Sequence, residues 1–189
     1  MVEADSVEIT TLAQWRRWLA RGYSRDAGVW VVTATHGSSR AVVDYEDLVA
    51  EALSWGWVDS KVGRVDETRR RTWFSPRRAR SPWSASNKER VERLIADGRM
   101  RPAGQLAIDR AKATGEWTRL DGVDAGEVPA DLASAFRRHR GARANFDRFP
   151  PGARRAILRW IASARRVDTR AARVATTAEL AARGERAVT

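Results

Sequence analysis

The stretch Trp55-Gly56-Trp57-Val58-Asp59-Ser60-Lys61, with its continuation Trp73-Phe74-Ser75-Pro76-Arg77-Arg78-Ala79-Arg80-Ser81-Pro82-Trp83-Ser84, decides how this chain folds. Val58 to Val65 and Arg70 to Phe74 alternate well enough to be paired strands, with Asp66-Glu67-Thr68 as their turn. Pro76 and Pro82 bracket Arg77 to Ser81 and predict an extended, non-helical basic segment, because proline fixes its own backbone and restricts its neighbour. Residues 57, 59 and 61 of a regular strand share one face, so Trp57, Asp59 and Lys61 would present a ring, a carboxylate and an ammonium together. Arg77 and Arg78 could then meet that carboxylate, or a bound anion, through paired N–H donors. A plain ion pair pinning the segment to the sheet would look the same in sequence, and both readings stand at this point.

Working outward, the N-terminal side reads as helix, strand, helix. Thr11 and Gln14 form a capping box, and Leu12, Trp15, Trp18 and Leu19 follow at helical spacing to about Arg21. Val29 to Thr35 is short and β-branched, as a buried strand is. His36-Gly37-Ser38-Ser39 reads as a turn, with His36 a solvated loop histidine. Asp44 caps a helix whose face is Leu48, Val49, Ala52 and Leu53. On the C-terminal side, Ser84 or Ser86 is expected to cap a helix carrying Val91, Leu94 and Ile95, and Pro102 to open another. Residues 118–128 lack periodicity and read as a linker. Pro129 opens a helical part with Leu132, Ala135 and Phe136 on one face, and the pattern from Ala153 to about Ala182 is helical throughout. The class predicted is α+β: a small antiparallel sheet of three to four strands packed with helices over 8–117, then a helical part over 129–184 packing on it.

The net charge is +11, carried in blocks. Residues 1–60 sum to −4, 61–101 to +8, 102–136 to −3 and 137–173 to +10. Two basic blocks of this kind suit a polyanion or a phosphorylated ligand. However, 32 of the 35 basic residues are arginine, in a chain rich in alanine, and a GC-rich genome produces that bias without any ligand. Cysteine is absent, which excludes disulfides, thiolate catalysis and cysteine metal sites. No apolar run is long enough to span a membrane, and the acidic N-terminus is not a signal peptide, so a cytoplasmic address is expected.

Four stretches carry a family resemblance. They are Trp15-Arg16-Arg17-Trp18-Leu19 before Gly28-Val29-Trp30; Tyr45 to Leu53 leading into Gly56-Trp57-Val58-Asp59; Phe74 to Asn87 followed by Val91 to Met100; and Arg155 to Arg166 followed by Thr169 to Val174. In these the chain resembles the YdeI/OmpD-associated family, also called bacteriocin-protection proteins. Ser60 stands where that family usually has glycine, and Arg69-Arg70-Arg71 replaces an acid–aromatic strand. The resemblance implies a small α+β domain with a helical C-terminal part and a role in bacterial stress or antimicrobial-peptide resistance. It supplies no reaction mechanism to carry over.

Motifs for catalysis are missing: there is no phosphate loop, no dinucleotide fingerprint, no zinc-protease pair and no nucleophile elbow. No cofactor, metal or catalytic residue is therefore expected, and no pattern specifies an oligomeric state. The candidate ligand-binding residues are Trp57, Asp59, Lys61, Trp73, Arg77, Arg78, Trp83 and Asn87, with Trp57, Trp73 and Trp83 walling a pocket. The expected partner is an anionic small molecule or polyanion. Nucleic acid read by Trp73, Trp83 and Arg77, Arg78 and Arg80 is the alternative, and a small-molecule enzyme built on Asp59 and nearby arginines is the third reading.

Overall fold

Tryptophan and leucine at helical spacing, set against short β-branched strands, produce a sheet covered by helices in the first part of the chain. The computed structural model describes residues 5–35 and 41–188. His36 and the turn expected around it lie outside the described residues. In chain order the described elements are β1 (Ser6–Glu8), α1 (Leu12–Gly22), β2 (Val29–Ala34), α2 (Tyr45–Ser54), β3 (Trp57–Arg64), β4 (Arg69–Pro76), α3 (Ala85–Ala96), α4 (Pro102–Ala113), α5 (Asp121–Asp124), α6 (Ala130–Arg138), α7 (Ala142–Arg148), α8 (Pro151–Ala162) and α9 (Val167–Ala182). The α+β class holds. Two compact units are formed, one by the chain up to Ser81 with Ser86–Trp117, the other by Pro82–Ala85 with Thr118 onward.

In the first unit the strand order is β1-β2-β4-β3. β2–β4 and β4–β3 are antiparallel, but β1 runs parallel to β2, so the sheet is mixed rather than wholly antiparallel. β1 is only three residues long and was too short to be read from pattern. Opposed residues point to the same side. One face therefore carries Val29, Val31 and Thr33 of β2, Arg70, Thr72 and Phe74 of β4, and Trp57 and Asp59 of β3. Most of that face is buried, along with Trp15, Leu19, Leu48, Val49, Ala52 and Leu53 of α1 and α2. The capping box of Thr11 and Gln14 forms as expected, and the Asp44 side chain accepts from Glu46 N at 2.7 Å. Trp15 donates its indole N–H to Leu48 O at 3.0 Å, which satisfies a fully buried polar atom. Glu51 is buried too, and its carboxylate is met by Arg16 at 2.8 Å and Arg99 at 3.5 Å.

The second unit is a helical bundle whose core is Leu132, Ala135 and Phe136 of α6, Ala142 and Phe146 of α7, Ile157, Leu158 and Ile161 of α8, and Val174, Ala178 and Ala181 of α9. The helical pattern expected from Ala153 to about Ala182 is realised as two helices, with Ser163 and Arg166 as the caps between them. The stretch 118–128, read as a linker, contains α5, and Val123 and Val128 pack against this core. Several arginines that pattern alone would assign to a solvated face tie the bundle together. Arg170 chelates Asp131 at 2.7 and 3.1 Å, Arg159 reaches Asp124 at 2.7 Å, and Arg173 binds Ser163 Oγ at 2.7 Å while covering the Trp160 ring. Asn145 donates to Ala181 O at 2.9 Å, satisfying a carbonyl of the last turn of α9.

Candidate functional site

The hairpin β3–β4 positions the candidate side chains, but an irregularity redistributes them. Asp59 pairs with Phe74 and Val62 with Thr72, so β3 spends one extra residue between these points. Such a bulge reverses the alternation beyond it. Val62, not Lys61, returns to the face of Trp57 and Asp59, and Lys61 is exposed on the bulge. The expectation of a ring, carboxylate and ammonium on one face fails at the ammonium for that reason.

The tryptophans do not wall one pocket. Trp57 is fully buried, donates Nε1 to Tyr23 O at 2.9 Å and meets Trp18 edge-on, which makes it core. Trp73 alternates with Phe74 and so faces the opposite side of the sheet. There it packs against Trp30 with ring centres 5.3 Å apart and lies over Gly28, where any Cβ would come within 2.5 Å of its ring. Trp83 is 1% exposed and belongs to the second unit. The basic segment is a turn, not an extended run: Ser81 N donates to Arg78 O at 2.9 Å, with Arg78 and Arg80 exposed. Ser86 lies inside the first turn of α3, not at its cap.

A different set of partners gathers around Asp59. Tyr45, the first residue of α2, donates its hydroxyl to Asp59 Oδ2 at 2.5 Å. Arg70 comes over the Tyr45 ring, with 5.9 Å from its guanidinium carbon to the ring centre. Its Nε is buried and has no hydrogen-bond partner. Arg77 leaves the end of β4 with its N–H bonded to Gly56 O, and burial lowers its guanidinium pKa to about 10, partly offset by the charge of Asp59. Arg90 of α3 chelates Glu46 at 2.8 and 2.7 Å and donates to Asn87 Oδ1 at 2.9 Å. Asp59, Arg77 and Asn87 of the sequence-derived set thus meet here or at the edge of this group. Tyr45, Arg70 and Arg90 were missed, although Tyr45 directly follows the capping Asp44, a position whose side chain could have been followed onto the sheet.

The tyrosine hydroxyl is pushed well above the ordinary tyrosine range, first by burial and then by its hydrogen bond to the Asp59 carboxylate. A proton held more tightly in the folded state stabilises that state below the unfolded tyrosine pKa, and this contribution is lost as pH rises through the folded value. Ultraviolet titration of tyrosinate should therefore show a late step that coincides with alkaline unfolding. A Tyr45→Phe variant should lack that step. A Tyr45 step at the ordinary tyrosine pKa in the folded protein would contradict the half-buried hydroxyl–carboxylate pair.

Comparison with known families follows the division into units. Residues 7–107, more than half of the chain, match the profile of a domain of unknown function, DUF8412. The chain belongs to that family. Residues 125–184 match the profile of the bacteriocin-protection, YdeI or OmpD-associated family. The YdeI/OmpD-associated resemblance therefore holds in the helical unit, where the fourth of its stretches lies. The other three stretches fall within the DUF8412 match. No curated protein and no solved structure matches the chain. The Tyr45–Asp59 group is a feature of the DUF8412 part. Among the described residues no cluster of histidine and carboxylate side chains could hold a metal ion, and no helix is long and apolar enough to cross a membrane.

Proposed function

We propose that this chain is a bacterial stress- or antimicrobial-resistance protein, cytoplasmic and without turnover of its own. It acts by binding a small anionic ligand in the 57–87 region, at Asp59, Arg70 and Arg77 beside Tyr45. The observation that carries this reading is Arg70: a guanidinium over a half-buried tyrosine ring with its own Nε buried and unbonded. A buried donor without an acceptor costs about 1–3 kcal/mol, and an oxyanion would remove that cost. Arg77 supports it, because burial strips water from a guanidinium that remains charged at neutral pH, and a ligand carboxylate or phosphate would add to the compensation that Asp59 supplies. Three arginines against the carboxylates Asp59 and Glu46 leave the group net positive before any ligand arrives.

Nucleic acid as the anionic partner is the second reading. Its support is the opposite face of the sheet, where Arg71 covers the Trp30 ring at 4.5 Å and Trp73 stands beside it. Rings and guanidinium groups on an open strand surface are how single strands are stacked and neutralised.

The test is a thermal-shift screen of nucleotides, phosphorylated metabolites, aromatic acids and short DNA and RNA at low and physiological salt. Wild type is compared with an Arg70→Gln/Arg77→Gln double variant. Stabilisation by one small anion that persists in salt and disappears in the double variant is the expected result. Stabilisation by DNA or RNA alone, vanishing with salt, would transfer the case to the strand surface. A lower melting temperature in the variant with no compound shifting wild type would make the arginines structural. Consumption of the stabilising compound would make the protein an enzyme.

A further inference from the structure

A second cleft, of about 490 Å³, lies between β1 and α1. Val7 and Ile9 of the strand side and Trp18 and Gly22 of the helix give it apolar walls, and Gln14, Arg17, Arg21 and Arg25 supply its polar groups. Positions 14, 17, 18 and 21 recur at intervals of one helical turn, so two of the cations and the ring share one side of α1, and Arg25 joins them from the loop that follows the helix. The volume is that of a small-molecule site.

The charges of this cleft are unequally spent. Arg25 pairs with Asp5 and lies over the Trp18 ring. Arg17 and Arg21 make no hydrogen bond or ion pair among the described residues. Glu8 also lines the cleft, and its carboxylate is engaged by Arg69 at 3.7 Å. Gln14 is oriented in advance: its Oε1 accepts from Thr10 N at 2.8 Å, Thr10 Oγ1 at 3.0 Å and Thr11 N at 3.2 Å, which leaves its amide N–H groups as the donors still available. Trp18 is itself fixed, stacked on Trp15 at 5.2 Å and edge-on to Trp57 at 5.5 Å. A rigid ring, a pre-set amide donor and two uncompensated guanidinium groups are the parts that recognise a flat apolar molecule with one anionic end.

We propose that the β1–α1 cleft binds a small molecule with an aromatic body and a single carboxylate or phosphate group, the ring against the apolar wall that Val7 and Ile9 form with the edge of Trp18 and the anion between Arg17 and Arg21. This site is separate from Arg70 and Arg77 and does not depend on the function proposed above.

Isothermal titration of the full chain with phenyl phosphate, phenylacetate, inorganic phosphate and benzyl alcohol at physiological salt tests it. One saturable site for phenyl phosphate or phenylacetate is expected, with inorganic phosphate and benzyl alcohol each weaker by about tenfold or more, since each lacks half of the recognised chemistry. Which of the two anions binds tighter distinguishes a phosphate ligand from a carboxylate one. An Arg17→Gln/Arg21→Gln variant, altered only at exposed side chains, should fold as wild type by circular dichroism and lose about tenfold in affinity. Arg138→Gln, an exposed arginine of α6 far along the chain from the cleft's lining, should leave the affinity unchanged. No saturable binding to wild type, equal binding to the Arg17→Gln/Arg21→Gln variant, or loss of binding in Arg138→Gln alone would each overturn the proposal.

Discussion

Gly104→Ala should destabilise the sheet-bearing unit by about 3 kcal/mol, the upper end of what overpacking one methyl into a closed interface costs. Gly104 lies within α4, where helix propensity alone would favour alanine by about 1 kcal/mol. Packing overrides propensity here. A Cβ at Gly104 would come within 2.4 Å of Ser54 O and 2.8 Å of Leu53 O, the last carbonyls of α2, and 2.7 Å of Met100 Sδ. The sulfur could move, but the two carbonyls belong to the backbone, so α2 and α4 would have to separate. That would also disturb Arg101 N, which donates to Ser54 O at 3.2 Å, and Gly56, whose positive φ of 77° sets the entry to β3. Urea unfolding followed by tryptophan fluorescence measures the loss. Gly152→Ala is the control: it too is helical, nothing lies within 4 Å of its Cβ, and its φ is not positive. It should be neutral or gain about 0.5 kcal/mol from reduced freedom of the unfolded chain. Equal effects at both glycines would refute the close approach of α2 and α4.

Phe146→Ala should cost the helical unit about 3–5 kcal/mol, the range for deleting a buried phenyl ring. Phe146 is 1% exposed, with its ring 5.2 Å from Phe136 and 6.0 Å from Phe149. It lies in α7, a seven-residue helix with no side-chain cap, which by itself is too short to persist in water. Packing holds that helix, so removing the ring should free α7 first. Hydrogen exchange read by mass spectrometry should show protection lost in peptides covering 142–148 before those covering 167–182. Uniform, small changes across the unit would mean that Phe146 is not the anchor described.

Much of the fold was legible because its signals are local. The Thr11–Gln14 box, the Asp44 cap and the Asp66–Thr68 turn specify hydrogen bonds within a few residues, Pro102 suits a first helical turn through its fixed φ, and each marks an element close to where it stands. Three-residue β1 carries no periodicity, and its parallel pairing with β2 depends on contacts across the sheet. The break between α8 and α9 was hidden because Ser163 to Arg166 suits a helix by composition and contains no proline or glycine.

The candidate site was legible in part, and the reason lies in one residue. Asp59 could be singled out as the carboxylate beside the tryptophan pair, and Arg77 as a cation on the segment after the partner strand. Face-sharing beyond Asp59 depended on a regular strand, and the bulge before Val62 removed Lys61 from it. Tyr45 reaches Asp59, and Arg70 the Tyr45 ring, only through the packing of α2 on the sheet. No spacing rule joins residues 45, 59 and 70. Gly104 was invisible for the same kind of reason, since its role is set by the carbonyls of another helix.

The short excursion Pro82–Ala85 has a consequence for how such a gene can be assembled. Those four residues belong with the helical unit, yet they are encoded inside the DUF8412 match, between stretches of the other unit. A single crossover at 117/118 would hand a recipient the helices without Trp83, a fully buried tryptophan. The reciprocal product would carry that tryptophan without the rest of the compact unit it is grouped with. An exchange of either part that respects the compact units must therefore take Pro82–Ala85 along with the helices.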